Sequence, residues 1–228
     1  MADVTATEAP SGDAPADETP ARRRRLPPPT GAQAVLLALA LLYLAGSLGY
    51  VIGSRPAGHP GEGSVDAGFL YDMTTHHEQA LRMSAVELGN GEEAGIAVFA
   101  REILTLHAYE IGLMDGRLAQ WGLPPENPRR AMEWMGVPVE VGELPGMASE
   151  AELARLRAAK GRDADALFVT LMQEHHRGGV HMAEYAAEHA RSGFVRDMAA
   201  RMARNQRIEI NELEQARLHA GLPMGPPS

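Results

Sequence analysis

The chain has 228 residues, of which 45% are hydrophobic, so it is long enough to bury the core of one domain. Its formal net charge of -9 argues against nucleic acid as a partner, because phosphate groups attract a basic surface. The sequence contains no cysteine, which excludes disulfides, thiolate metal ligands and thiol nucleophiles.

Residues 1–31 are rich in Ala, Pro, Asp and Glu and contain little to bury, so we expect a disordered tail. This tail ends with the arginine run at residues 22–25 and three prolines. Residues 32–54 are almost entirely apolar. At ~1.5 Å per residue, a helix of this length spans a hydrocarbon core of about 30 Å, which predicts a single transmembrane helix.

The arginine run also predicts the orientation of this helix, because positively charged flanks stay in the cytoplasm. We therefore expect a single-pass membrane protein with a cytoplasmic N-terminus and an extracytoplasmic C-terminal domain. The alternative is a cleaved signal peptide of the twin-arginine type. The apolar run is longer than is usual for such a peptide, and no A-x-A cleavage site follows it.

Residues 55–65 are rich in Gly, Pro and Ser and predict a linker to a domain over residues 66–221. Within that domain, helical periodicity bounded by Gly and Pro predicts four long helices, over residues 66–88, 92–120, 163–190 and 194–220. The loop inside each pair of helices is short. Each pair therefore predicts an antiparallel hairpin, the first over residues 66–122 and the second over residues 163–221.

A crossover over residues 123–162 connects the two predicted hairpins. It contains one short predicted helix, Ser149 to Lys160, which begins with a capping box formed by Ser149 and Glu152. Residues 222–228 are expected to form a tail.

The two hairpins are an internal repeat at a constant offset of 99 residues, because FLYDMTTHHEQALRM from Phe69 aligns with FVTLMQEHHRGGVHM from Phe168. Both copies keep a Phe, a Met, a His-His pair and a second Met at the same spacing. An ungapped repeat of this kind predicts an all-α, pseudo-twofold four-helix bundle. Equivalent residues should face each other across its centre.

Helical periodicity directs one stripe of side chains from each hairpin into the bundle. In the first hairpin, Met73 and His76 lie three residues apart on this stripe, and His77 lies at its edge. The second helix of that hairpin contributes His107 and Glu110. The second hairpin presents the equivalent set, with Gln206 aligned to the histidine at 107: Met172, His175, His176 and Glu209.

These side chains are typical ligands of a transition metal. Imidazole binds copper and zinc, thioether sulfur adds a preference for Cu(I), and glutamate either binds the metal or holds an imidazole N–H. Four buried histidines are hard to explain otherwise, because an unpaired imidazole loses its hydrogen bonds with water. We therefore predict a metal site, with copper as the favoured ion.

The F-x3-M-x2-H-H-x5-M repeats, the segment LPGMASEAELARLRAAKG and the Q-x2-E-I of the last helix resemble domain-of-unknown-function family 305 (DUF305), a bacterial family of secreted or membrane-anchored proteins. The resemblance covers residues 66 to about 221 and implies a ferritin-like four-helix bundle. Some members are associated with periplasmic copper binding. Met147, in the Pro-Gly-Met turn, also fits the family pattern and could close over a site. The family motif maps onto Met73, His76, His77, Met172, His175 and His176.

Three functions follow from these observations. The first is an extracytoplasmic copper-binding protein that sequesters or relays the ion and is not an enzyme. The second is a structural or signalling bundle without metal, in which histidines bond glutamates across the core. The third is a ferritin-like di-metal oxidase. Such enzymes use about four inward carboxylates with Glu-x-x-His spacing, whereas the stripe carries only Glu110 and Glu209.

Overall fold

The computed structural model describes residues 30–53 and 58–224 of the chain. The chain divides into two compact units, residues 1–56 and residues 57–228. Apart from its last two residues, the predicted N-terminal tail lies outside the described residues, as do the start of the predicted linker and the last four residues of the C-terminal tail.

The first unit contains one helix, α1 (Gly31–Gly53). Its segment Gly31–Tyr50 has a mean hydropathy of 1.9, and none of it is buried against protein. Leu42 and Tyr43, for example, are 70% and 76% exposed. By length and composition α1 can cross a membrane, and a signal sequence near an N-terminus would meet the same criteria.

The second unit is a helical bundle, which confirms the predicted all-α fold, and residues 30–53 and 58–224 contain no β-strand. Two long hairpins form the bundle, and a crossover with one short helix and two 3-10 turns joins them. The helices are α2 (Val65–Asn90), α3 (Ala94–Gln120), α4 (Glu150–Ala158), α5 (Arg162–His189) and α6 (Gly193–His219).

A pair of equivalent aspartates connects the two hairpins. The carboxylate of Asp165, on α5, accepts hydrogen bonds from the backbone N–H groups of Glu92 and Glu93 at the start of α3. The carboxylate of Asp66, on α2, accepts from two backbone N–H groups at the start of α6, at 2.7 and 3.0 Å. A carboxylate there satisfies the free N–H groups of a helix N-terminus and complements its dipole. The repeat therefore forms the same contact between the hairpins twice.

Two apolar clusters form the core, one toward each end of α2 and α5. The first cluster combines the start of α2 with the end of α5, including Phe69, Met73, Met182 and Ala186. The second combines the end of α2 with the start of α5, including Ala80, Met83, Phe168 and Met172. Helices α2 and α5 are therefore antiparallel, and their midpoints, which carry the His-His pairs, cross between the clusters.

Two carboxyl groups lie side by side where the end of α2 meets the start of α5. Glu87 and Asp165 are 1% and 0% exposed, respectively. Burial raises the pKa of Glu87 to about 8, and the hydrogen bond and negative charge of Asp165 act in the same direction. At neutral pH, Glu87 is therefore largely protonated beside Asp165.

This pair predicts a pH-dependent contribution to stability. The pKa of Glu87 is higher in the folded chain, about 8, than its ordinary value of 4.5, so the folded state holds a proton that the unfolded state releases. The contribution of Glu87 to the free energy of unfolding should therefore fall as pH rises from about 4.5 to about 8. Glu87→Gln keeps the size and polarity of the side chain but does not titrate. We expect it to raise the melting temperature by about 2–6 °C at pH 8.5 and to have little effect at pH 5.

The measurement is thermal unfolding at both pH values, with the exposed Glu188→Gln on α5 as the matched control. An equal effect of Glu87→Gln at pH 5 and pH 8.5 would contradict the raised pKa of Glu87.

Candidate metal centre

Five histidines meet between the two apolar clusters and form what we call the histidine layer. Each is at most 1% exposed. The layer takes two adjacent histidines from α2, one from α3 and two adjacent histidines from α5: His76, His77, His107, His175 and His176. Adjacent residues on a helix point about 100° apart, so one histidine of each pair faces the other hairpin and the second faces a neighbouring helix.

The imidazole rings pack against one another. The rings of His76 and His175, which are equivalent in the repeat, have centroids 3.6 Å apart. The ring of His107 stacks on His77 with centroids 4.0 Å apart and lies 5.6 Å from His176. His107 therefore lies between the second histidines of the two hairpins, whereas the equivalent position on α6 is a buried glutamine, Gln206.

Two glutamates border the layer, and each contacts one histidine. Nε2 of His77 forms a hydrogen bond of 2.9 Å with Oε2 of Glu110. Nε2 of His176 lies 2.8 Å from Oε2 of Glu209, but the pair lacks hydrogen-bond geometry. These equivalent contacts place one carboxylate from α3 and one from α6 at the layer.

Most ring nitrogens of the layer have no hydrogen-bond partner within the described part of the chain. Of the ten nitrogens, only Nε2 of His76 and Nε2 of His77 form hydrogen bonds, and the other eight are buried and unpaired. Each buried polar atom left without a partner costs about 1–3 kcal/mol. A cluster of unpaired nitrogens is therefore a costly feature that a bound ligand would remove.

Burial also sets the protonation of these rings. It lowers the pKa of His76 to about 3 and holds the pKa of His77, His107 and His175 well below the ordinary value. For the last three, the charges of neighbouring histidines add to the effect. These imidazoles are therefore neutral near pH 7 and keep the lone pairs that metal ions bind.

The carboxyl group of Glu110 also has a perturbed affinity for protons. Burial, and secondly the negative charge of Glu209, raise its pKa to about 7. The charges of Arg201 and His176 act in the opposite direction. The carboxyl groups of Glu110 and Glu209 therefore influence each other's charge.

Two groups of side chains have the spacing of metal ligands. One contains His77, His107 and Glu110, and the other contains His107, His176 and Glu209. Within each group, one potential ligand atom from every residue lies within 4.8 Å of the others. His107 belongs to both groups, so the repeat produces two related but unequal sets.

The other predicted ligands lie around these groups. His76 and His175 stack at the crossing of α2 and α5. Met73 and Met172 are fully buried, one in each apolar cluster, three residues before the leading histidine of their helix. Met147 is partly buried and packs against the first cluster. The remaining histidines, His59, His181, His189 and His219, are exposed.

The crossover covers one side of the histidine layer. Nε2 of His76 donates to the carbonyl oxygen of Pro145 at 3.0 Å, which leaves its Nδ1 unpaired. A Cβ atom on Gly178 would collide with that same carbonyl, so only glycine permits this approach. The side chain of Gln79 donates to the carbonyl of Ala148 at 2.9 Å and accepts from its N–H at 2.7 Å.

Sequence reasoning missed Gln79 and Pro145 as neighbours of the site. Glycine in the interior of a helix is costly, so Gly178 indicates that a neighbouring group requires the space. The collision with Pro145 shows that the backbone requires it. The alignment of Gln79 with Gly178 in the repeat was the available signal, since two unlike residues there indicate a contact that breaks the symmetry.

This chain is similar in sequence and in fold to several known proteins. The family model described as a domain of unknown function (DUF305) matches residues 66–217. A candidate secreted DUF305 protein from Streptomyces coelicolor is 34% identical, with a TM-score of 0.68, over 73% of this chain and 100% of that chain. A DUF305 fragment from Deinococcus radiodurans is 28% identical, with a TM-score of 0.59, over 68% of this chain and 96% of that chain.

The Cu(I)-bound form of CopM is 24% identical, with a TM-score of 0.51, over 68% of this chain and 96% of that chain. At this level of identity the likeness establishes a shared fold. None of the curated proteins is significantly similar to this chain.

The approach of the crossover to α5 predicts that Gly178→Ala destabilises the bundle. The added methyl group meets the backbone of Pro145, so we expect a loss of about 1–3 kcal/mol in the free energy of unfolding. Gly116→Ala on α3 is the matched control, because its Cβ has no neighbour within 4 Å. It should stabilise the chain by about 0.5–1 kcal/mol, the usual gain for Gly→Ala in a helix. Urea unfolding of both variants measures the difference, and equal stabilisation would contradict the close approach.

Proposed function

This chain belongs to the DUF305 family, and we propose that its histidine layer binds a transition-metal ion, with copper as the favoured cargo. The observation that carries this proposal is the set of eight buried, unpaired ring nitrogens. Their cost in the free protein is large, and coordination by a metal ion would satisfy several of them at once. The lowered pKa values of His76 and His107 support it, since these two rings hold no competing proton near pH 7.

The proposed ligands are those of the two groups that share His107. Each group offers two imidazoles and one carboxylate, a donor set suited to copper and zinc. The stacked pair of His76 and His175 and the nearby methionines extend this set. The full set that we propose is Met73, His76, His77, His107, Glu110, Met147, Met172, His175, His176 and Glu209.

Copper is favoured by the chemistry of these side chains. Neutral imidazole binds both oxidation states of copper, and flexible thioether side chains add affinity for Cu(I). CopM, which shares the fold, has been solved in Cu(I)-bound and Cu(II)-bound forms. Because that likeness extends to the fold alone, the choice of copper for this chain rests on its own residues.

A bundle without metal is the second candidate, and the bond between His77 and Glu110 favours it. That bond pairs only one nitrogen of one imidazole, however. His107 and His175 have no hydrogen-bond partner at either ring nitrogen. A di-metal oxidase is less well supported. The two ligand groups found in the described residues contain two carboxylates, where such enzymes use about four.

We place this function outside the cytoplasm. The length and apolar composition of α1 support a membrane anchor over residues 32–54, and the arginines before it support a cytoplasmic N-terminus. Residues 66–221 then form the binding domain on the outer side. We propose that the domain sequesters copper there or passes it to another protein, without catalysing a reaction.

The binding proposal is tested by isothermal titration of the full chain in detergent with Cu(II), and with Cu(I) under reducing conditions. Combined His76→Ala, His77→Ala, His175→Ala and His176→Ala substitutions should remove the high-affinity phase. They should also abolish the rise in melting temperature that a tight ligand produces. At a free ligand concentration one hundred times the Kd, such a ligand stabilises the folded chain by about 2.7 kcal/mol. The exposed pair His181→Ala and His189→Ala is the control. Unchanged affinity in the quadruple variant would rule out these ligands.

The shared position of His107 gives a second, sharper prediction. His107→Ala removes a ligand from both groups and should weaken binding of the first ion by at least about tenfold. Gln206→Ala, at the equivalent position on α6, is the matched control and should retain affinity within about threefold. Titration of both variants makes the comparison, and similar losses in the two would argue that His107 has no special role.

A further inference from the structure

We infer that the ion enters and leaves the histidine layer between α3 and α6, past Glu110 and Glu209, and not beneath the crossover. This inference rests on the proposed function and specifies how the buried ligands are reached. It follows from a difference between the two sides of the layer.

The side covered by the crossover is closed by backbone contacts. The carbonyl of Pro145 lies against Gly178, with no room for a methyl group between them. A Cβ on Gly146 would likewise meet the carbonyl of His175, at 2.9 Å. The two hydrogen bonds between Gln79 and Ala148 fix the next turn of the crossover, and both residues are buried. An ion could pass here only if this segment were displaced.

Two partly exposed side chains border the layer on the side of α3 and α6. The side chains of Glu110 and Glu209 are 11% and 15% exposed, whereas those of His77 and His176 are 0% exposed. Each partly exposed carboxylate therefore lies between solvent and a fully buried imidazole. This order, from water to carboxylate to imidazole, suits the stepwise transfer of a hydrated cation into the layer.

The charges at this opening are suited to attracting a cation. One partly exposed carboxylate from α3 and one from α6 lie there, and carboxylates attract cations. Arg201 is exposed on α6, eight residues before Glu209. The equivalent residue on α3 is Glu102, which is also exposed. These two residues can therefore be changed to alter the field at the opening without touching a proposed ligand.

The test is the rate of Cu(II) binding to the full chain in detergent, followed by stopped-flow quenching of tryptophan fluorescence. Arg201→Glu should raise the association rate by about 3- to 10-fold at low ionic strength, because it attracts the cation to the opening. Glu102→Arg should lower the rate by a similar factor. Both effects should shrink in high salt, which screens exposed charges. Arg177→Glu is the matched control for the side covered by the crossover. Arg177 is exposed on α5 beside Glu174, and the backbone carbonyl of Glu174 lies against Gly146 of the crossover.

A second variant tests the closed side directly. Gln79→Ala removes both hydrogen bonds that hold Ala148, and we expect the association rate to stay within about twofold of that of the unmodified chain. Acceleration by Gln79→Ala or Arg177→Glu, with no response to Arg201→Glu, would overturn the inference and place the path beneath the crossover. Absence of any saturable Cu(II) signal in the unmodified chain would instead refute the proposed function.

Discussion

The burial of five imidazoles at the centre of the bundle is the constraint on which the rest of the structure depends. Apolar clusters on both sides exclude water from the rings, and this desolvation lowers the pKa of His76, His77, His107 and His175 and keeps them uncharged. Uncharged rings can stack closely, as His76 and His175 do, where charged rings would repel each other. The same desolvation leaves most ring nitrogens unpaired, so the stability of the core and its capacity to bind a ligand have one physical cause.

Duplication explains how two hairpins build this centre. The antiparallel crossing of α2 and α5 brings equivalent histidines together, and equivalent aspartates join the hairpins at both ends. The symmetry between the two hairpins is broken by features that occur only once in the described residues. There is a single crossover, so Gln79 holds it while its counterpart, Gly178, makes space for it. His107, similarly, has only a glutamine as its counterpart. The proposed metal site is therefore unequal in its two halves, although the scaffold around it is repeated.

The two sides of the histidine layer differ in what closes them, and this difference fits a protein that must both retain and release an ion. A crossover bonded through backbone groups resists opening, because several hydrogen bonds must break together. The side chains of Glu110 and Glu209 are partly exposed and each contacts one histidine of the layer. A protein that sequesters or relays copper would need such an opening on one side of an otherwise dry core.

The sequence by itself determined the helices, the hairpins and the central position of the His-His pairs. Helical periodicity and an ungapped repeat can both be recognised directly in the order of residues. It also identified Glu110, Glu209 and His107 from their register on the same stripe. Only the tertiary structure decided that His107 lies between His77 and His176, that Pro145 bonds His76, and that Gly178 admits the crossover. These contacts join residues far apart in the chain through a loop without periodicity, so they depend on packing that no local pattern encodes.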